Sequence, residues 1–271
     1  MPYNKKTRLF IFLFIGASFF SCTDIIELNL KNTEPKVIIE ANLNMSDSSF
    51  CATITMSNDF YDSSEFLKLE NASVSLQKNS DFAFLIPETE PGVYSKKGIV
   101  VNPSDEFLLN ITSSEGEKYT AKASAPSPSQ ILYVIPSPFI PPGSEQNNQT
   151  EKYYQIVCAW KDTATVDNYY RIKPYINNTF LSDDYILVND NYNNGDTILL
   201  VTIFEIYPGD TLSLELLTVN KEYHSFFSDV NYTLSQGPNY TTPYNPKGNF
   251  SGSAVGYFGI YGLSRFELLI Y

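Results

Sequence analysis

The chain has 271 residues, 43% of them hydrophobic and 15% aromatic, and its 30 acidic against 18 basic side chains leave a net charge of −12. That composition is globular, and at roughly 100–200 residues per domain the length leaves room for two domains. An acidic surface opposes the counterion release that drives binding to phosphate backbones, which excludes nucleic acid as a partner, while a single histidine and three cysteines leave no zinc set and little scope for triad chemistry.

In chain order, Lys5, Lys6 and Arg8 precede a nearly unbroken apolar run from Leu9 to Phe20, followed by Ser21-Cys22. A positive segment followed by a short apolar one reads as an export signal, because crossing the hydrocarbon takes roughly 20 apolar residues. Ser18-Phe19-Phe20-Ser21-Cys22 resembles a bacterial lipobox, so residues 1–21 are expected to be removed and Cys22 to carry lipid. An ordinary cleavage site at Gly16-Ala17-Ser18 is the competing reading and would give a soluble secreted protein. Residues 22–35 read as a tether.

From residue 36 to 125 the pattern is all-β. Phe50, Ala52, Ile54 and Met56 alternate with small or polar residues, as a half-buried strand requires. Similar runs occur at 37–43, 72–77, 82–86, 98–101, 107–111 and 118–123, separated by Asn, Asp, Gly, Pro and Ser clusters. This spacing predicts a sandwich. Residues 126–150 hold six of the 16 prolines and read as a Pro-rich linker region with room for an edge strand at 131–135, since proline lacks the donor that a central strand needs.

Residues 151–271 read as a second β domain. Strands are expected at 153–160, 169–176, 185–188, 197–206, 211–219 and 265–271, with Asn194-Gly195 marking a hairpin turn. The exception is 220–236, where Tyr223, Phe226, Phe227, Val230 and Leu234 recur at helical spacing behind Asn220 as N-cap and ahead of Gly237-Pro238. That predicts one short amphipathic helix. Residues 239–262, rich in Tyr, Asn and Gly, read as a long ordered loop. The fold class expected is therefore mainly β, with two β-sandwich-like domains, the second carrying the helix and the loop.

Candidate chemistry is sparse. His224 lies inside the predicted helix rather than at a strand end, so no catalytic residue is assigned. Asn189 to Asp196 superficially resembles a calcium loop, but Tyr192 takes a ligand position and the terminal Glu is missing, so a turn is expected and no metal or cofactor. Asp183-Asp184 could be drafted as a glycosidase pair, but sequence alone does not set the separation that mechanism needs. Cys51 and Cys158 are taken as unpaired. The 20 tyrosines are more informative, because Tyr offers large contact area at low conformational cost. Tyr232, Tyr240 and Tyr244 are the candidate contact residues; Tyr257 and Tyr261, in the same stretch, suit core positions better.

Taken in order, Phe20-Ser21-Cys22, Val37-Ile38-Ile39-Glu40-Ala41, Asn71-Ala72-Ser73-Val74-Ser75-Leu76, Pro91-Gly92-Val93-Tyr94 and Tyr119, then Asn168-Tyr169-Tyr170-Arg171, Gly209-Asp210-Thr211-Leu212, Glu222-Tyr223 and Gly256-Tyr257-Phe258-Gly259, form a set that resembles the Bacteroidota outer-membrane lipoproteins of domain-of-unknown-function family 4249. The N-terminal half is also similar to the transthyretin-like sandwich of carboxypeptidase regulatory domains. The resemblance implies a non-catalytic accessory, binding or scaffolding, of a TonB-dependent outer-membrane transporter in nutrient uptake, with Cys22 the one residue whose role carries over. Asp24 and Glu27 just after that cysteine point to the cell surface rather than the periplasmic face. A free-standing adhesin for a glycan or peptide ligand is the alternative.

Overall fold

The computed structural model describes residues 35–58, 64–142, 153–181, 185–192, 194–235 and 245–271, and Pro35–Tyr271 forms one compact unit. Cys22, Tyr240, Tyr244 and Asp183-Asp184 lie outside the described residues. In chain order the strands are β1 (Val37–Asn44), β2 (Ser49–Met56), β3 (Ser73–Lys78), β4 (Phe84–Ile86), β5 (Glu88–Glu90), β6 (Val93–Lys97), β7 (Glu106–Thr112), β8 (Lys118–Ser124), β9 (Ile131–Pro138), β10 (Tyr153–Lys161), β11 (Tyr169–Ile176), β12 (Thr179–Phe180), β13 (Ile186–Asn189), β14 (Thr197–Glu205) and β15 (Thr211–Val219). The helix α1 (Lys221–Ser235) and the long strand β16 (Val255–Leu269) follow. The protein is mainly β, as its alternation predicts.

Three sheets result. Sheet A has nine strands in the order β12-β11-β15-β16-β1-β2-β6-β5, with β13 also pairing β11; sheet B is β4-β3-β7-β8; sheet C is β14-β10-β9. β16 joins the two halves of the chain, running parallel to β1 with Ala41 opposite Phe258 and antiparallel to β15 with Leu217 opposite Leu263. Because side chains alternate across a strand, Phe258 and Ile260 share a face with Phe266 and Leu268. The first pair packs in the core against sheet B, with Phe50, Leu76 and Phe107, and the second against sheet C, with Ile156, Trp160 and Ile198. Sheets B and C thus lie side by side on one face of sheet A, giving two sandwich-like halves that share a sheet.

The Pro-rich stretch passes between them. Ser129 N donates to Thr218 Oγ1 at 2.9 Å, and Ile131 N to Ser264 Oγ at 3.1 Å. Its β9 is the expected edge strand, pairing only β10 in sheet C.

Helix α1 covers the opposite face of sheet A. Tyr223 and Phe227 are buried against Leu217, Val219 and Tyr257. Asn220 supplies the first helical acceptor, its carbonyl receiving His224 N at 3.2 Å. Its side chain does something other than capping: Oδ1 accepts Ile260 N at 2.8 Å and Nδ2 donates to Glu222 at 2.7 Å, which ties the helix start to β16.

Three local expectations are corrected. Residues 255–262 are strand, not loop. Their alternation is hidden because both faces are covered and because glycine replaces large residues where neighbours come closest: a Cβ on Gly259 would run into the Tyr223 ring, and one on Gly262 would lie 2.7 Å from Pro128. Residues 98–101 are not a strand; the strand is β6, whose register places Tyr94 opposite Ala52, and the chain leaves the sheet at Gly98. Asn194-Gly195 does not close a hairpin, since β13 pairs β11 in sheet A and β14 pairs β10 in sheet C. The segment is a crossing between sheets, held by Gly195 N donating to Asp162 at 2.7 Å.

Candidate functional site

Of the candidate contact tyrosines only Tyr232 lies among the described residues, and Tyr257 and Tyr261 are those expected in the core. Tyr232 lies on the exposed side of α1, whereas Tyr257 is buried beneath the helix and accepts Asn42 Nδ2 at 3.1 Å. Burial pushes the Tyr257 hydroxyl well above the usual phenol range and that of Tyr261 up to about 12, so neither ionises near neutral pH.

Beneath α1 sits a buried cation that the pattern did not reveal. Arg171 on β11 lies between the rings of Tyr185 and Phe227, its guanidinium carbon 4.4 and 4.5 Å from their centroids, and its Nη1 donates to Tyr223 Oη at 2.6 Å. Its Nε is buried without a hydrogen-bond partner among the described residues. Charge over ring faces is favourable once water is excluded, so Arg171 clamps the helix to the sheet. His224 stacks on Tyr169 at 5.1 Å, and burial lowers its pKa from the ordinary histidine value.

On the inner side, Tyr170 donates to Asp162 and lies 3.2 Å from Ser129 Oγ. Asn168 Nδ2 bonds the Thr163 carbonyl at 2.7 Å and the Val166 carbonyl at 2.9 Å. Asp162 and Asp190 are both buried, but the oxygens of Asp162 already accept Tyr170 and Gly195. This network fixes the loops between sheets. Among the described residues no group of three or more His, Cys, Asp or Glu is arranged to hold a metal ion.

Two concavities of about 320 and 360 Å³ adjoin at the start of α1 and share Ser124 and Glu222. The first is lined by Asp167, Asn168 and Lys221, the second by Asn79, Glu106 and Lys122. Mixed charge and small polar groups suit a small polar ligand.

The feature that stands out is the outer face of sheet C. The register places Leu199, Ala159 and Tyr133 in one row across its three strands, then Val201, Val157 and Ile135, then Ile203, Gln155 and Ser137. Leu199 is 56% exposed, Val201 54%, Ile203 46% and Ile135 50%. Lys161 and Glu205 close the two ends of the face, and a contiguous apolar stretch rimmed by polar residues is the signature of an interaction surface. Sequence reasoning missed it because Thr197–Glu205 is apolar on both faces and so reads as a fully buried strand. The signal that could have found it is Pro-rich β9, which pairs the same central strand β10 from its other side, because proline marks an edge.

No curated protein matches the chain. Among solved structures it is similar to the Yersinia pseudotuberculosis adhesin InvE at 11% identity, over 67% of this chain and 55% of that one, with a TM-score of 0.20. The chain thus spans little more than half the length of that protein, and so low a score carries no argument. The family described as Domain of unknown function (DUF4249) matches over residues 23–266. With a match running from just past Cys22 to near the end of β16, the chain belongs to the DUF4249 family.

Proposed function

We propose that this chain is a lipid-anchored outer-membrane protein, held through Cys22 on the cell-surface side, that binds and scaffolds without catalysing as an accessory of TonB-dependent nutrient uptake. The observation that carries the reading is the sequence Lys5-Lys6-Thr7-Arg8, the apolar run to Phe20, and a small residue before Cys22. Acyl chains on the cysteine thiol and on the new amine contribute about 0.8 kcal/mol per buried methylene, and more than one chain anchors stably. An exposed apolar stretch of sheet on an otherwise acidic chain supports partner binding.

The test is fractionation with chemical cross-linking. The full chain should incorporate a clickable fatty acid, sediment with outer membrane and, after cross-linking, carry a TonB-dependent barrel through purification; Cys22→Ser should be unlabelled and soluble. A wild-type chain that is soluble and unlabelled overturns the anchor. An anchored chain that retains a glycan or peptide and no barrel replaces the transporter accessory with the adhesin.

A further inference from the structure

An unpaired sheet edge is a template for another strand, and the two edges of sheet C differ in what they admit. At one edge, β9 carries Pro136 and Pro138, which have no N–H to offer an incoming strand. At the other edge, β14 reads Thr197-Ile198-Leu199-Leu200-Val201-Thr202-Ile203-Phe204-Glu205. It has no proline, no lysine and no bulge against β10, and among the described residues no strand pairs its outer side. Natural edge strands are blunted by charge, proline or irregularity. This one lacks those devices along its apolar length.

We infer that β14 is the seam of a homodimer, pairing antiparallel with β14 of a second copy about a two-fold axis at Val201. In that register Val201 faces its own equivalent, Leu199 faces Ile203, Leu200 faces Thr202, Ile198 faces Phe204, and Glu205, the one charged residue of the strand, faces Thr197. No like charges meet. The segment is self-complementary on both faces. Leu199, Val201 and Ile203 form a continuous outer row with their equivalents, and Leu200 and Phe204, which are only partly buried at the margin of the core, gain the partner's inner residues as neighbours. The axis fuses two three-stranded sheets into one of six.

Charge and closure single out a second copy as the occupant. A chain of net charge −12 repels itself least along an edge where no like charges meet, and in this register the one acid of β14, Glu205, faces Thr197. An isologous contact satisfies both edges at once, and the prolines on the outer β9 strands stop the six-stranded sheet from growing further. The result is a closed dimer. This inference concerns a different surface from Cys22 and stands whether or not the anchor does.

Cysteine placement tests it in the full chain carrying Cys51→Ser, expressed in cells and oxidised gently before extraction. Residues directly opposite in an antiparallel pair hold their Cβ atoms ~4.5–5.5 Å apart, within reach of a bridge. Val201→Cys should form a disulfide dimer by itself. Leu199→Cys and Ile203→Cys should each stay monomeric alone and bridge when co-expressed, and the Cys51→Ser parent should not bridge. Val201→Lys sets two ammonium groups face to face and should weaken association at least roughly tenfold by analytical ultracentrifugation. The cysteine series alters only exposed positions, so it decides the matter even if Val201→Lys does not fold. A monomeric Val201→Cys overturns the seam, as does a bridge from Leu199→Cys alone, which moves the axis, or a bridge from Val201→Cys to a different protein, which gives the edge another occupant.

Discussion

Sheets A and C each present an apolar outer face, and the chain treats the two differently. Over sheet A, α1 lays Tyr223 and Phe227 onto Leu217, Val219 and Tyr257, and Gly259 leaves the hollow into which the Tyr223 ring fits. Over sheet C, Leu199, Val201 and Ile203 are about half exposed, with no element laid over them among the described residues. A covered face is shaped for its cover, with a small residue under a large ring. The difference separates apolar surface covered within the chain from apolar surface that the described residues leave exposed.

Breaking the covered face should have the largest effect. Tyr223→Ala removes the ring that fills the Gly259 hollow and the hydrogen-bond acceptor of Arg171, and should cost about 3–5 kcal/mol in chemical denaturation. A loss below ~1 kcal/mol would mean that α1 is not held as described. Tyr170→Phe probes the inner side, where the hydroxyl donates to buried Asp162; leaving that carboxylate short of a donor should cost about 1–3 kcal/mol, and an unchanged midpoint would remove the network from the account of what fixes the loops.

A control outside both faces is Asp105. Burial works against its ionisation, but hydrogen bonds from Lys78 at 2.8 Å, Asn79 at 3.0 Å and the Asn102 N–H at 2.7 Å outweigh it and hold its pKa down to about 2. A carboxyl whose pKa is lower folded than unfolded adds stability above the ordinary carboxylate range, ~4, and loses it as pH falls through about 2. Asp105→Asn should therefore cost no more than about 1 kcal/mol at pH 7, because solvent screens the pair, and the difference from wild type should shrink in acid. A difference that grows in acid would reverse the assignment.

The smallest effect on the fold should come from the uncovered face. Leu199→Thr, measured by thermal melting at a dilution where the chain is monomeric, should change stability by about 0.5 kcal/mol or less. A large loss there would mean that the face is covered within the monomer and would erase the contrast with sheet A. Thiol labelling sharpens the inside-outside distinction without mutation. Burial pushes the Cys158 thiol up to about 12, so at neutral pH a maleimide should modify exposed Cys51 well before Cys158.

Much of the architecture was legible where one face of an element meets water. β2 alternates Phe50, Ala52 and Ile54 with less buried neighbours, and α1 repeats Tyr223 and Phe227 one turn apart, so period alone identified them. β16 was misread over its first half because it is covered on both sides and has glycines at 256, 259 and 262, which erases the alternation. Asn194-Gly195 has the chemistry of a hairpin turn, yet the strands it links belong to different sheets; a turn residue reports local backbone freedom and says nothing of which strand is next door. The candidate surfaces were less legible still. Tyrosine abundance pointed to Tyr232 and the stretch after α1, while the apolar face of sheet C became visible only when three strands distant in sequence were set in register.

The amino-acid sequence by itself determined the mainly-β class, the helix over 221–235 and the proline-marked edge strand, because each follows from composition or from a period a few residues long. Tertiary structure decided that β16 would join β1 to β15, that sheets B and C would share one face of sheet A, and that no strand among the described residues would pair the outer side of β14. Those outcomes rest on pairings such as Ile38 with Val255 and Val157 with Val201. The chain makes such pairings between segments far apart along it, and local periodicity carries no record of the partner.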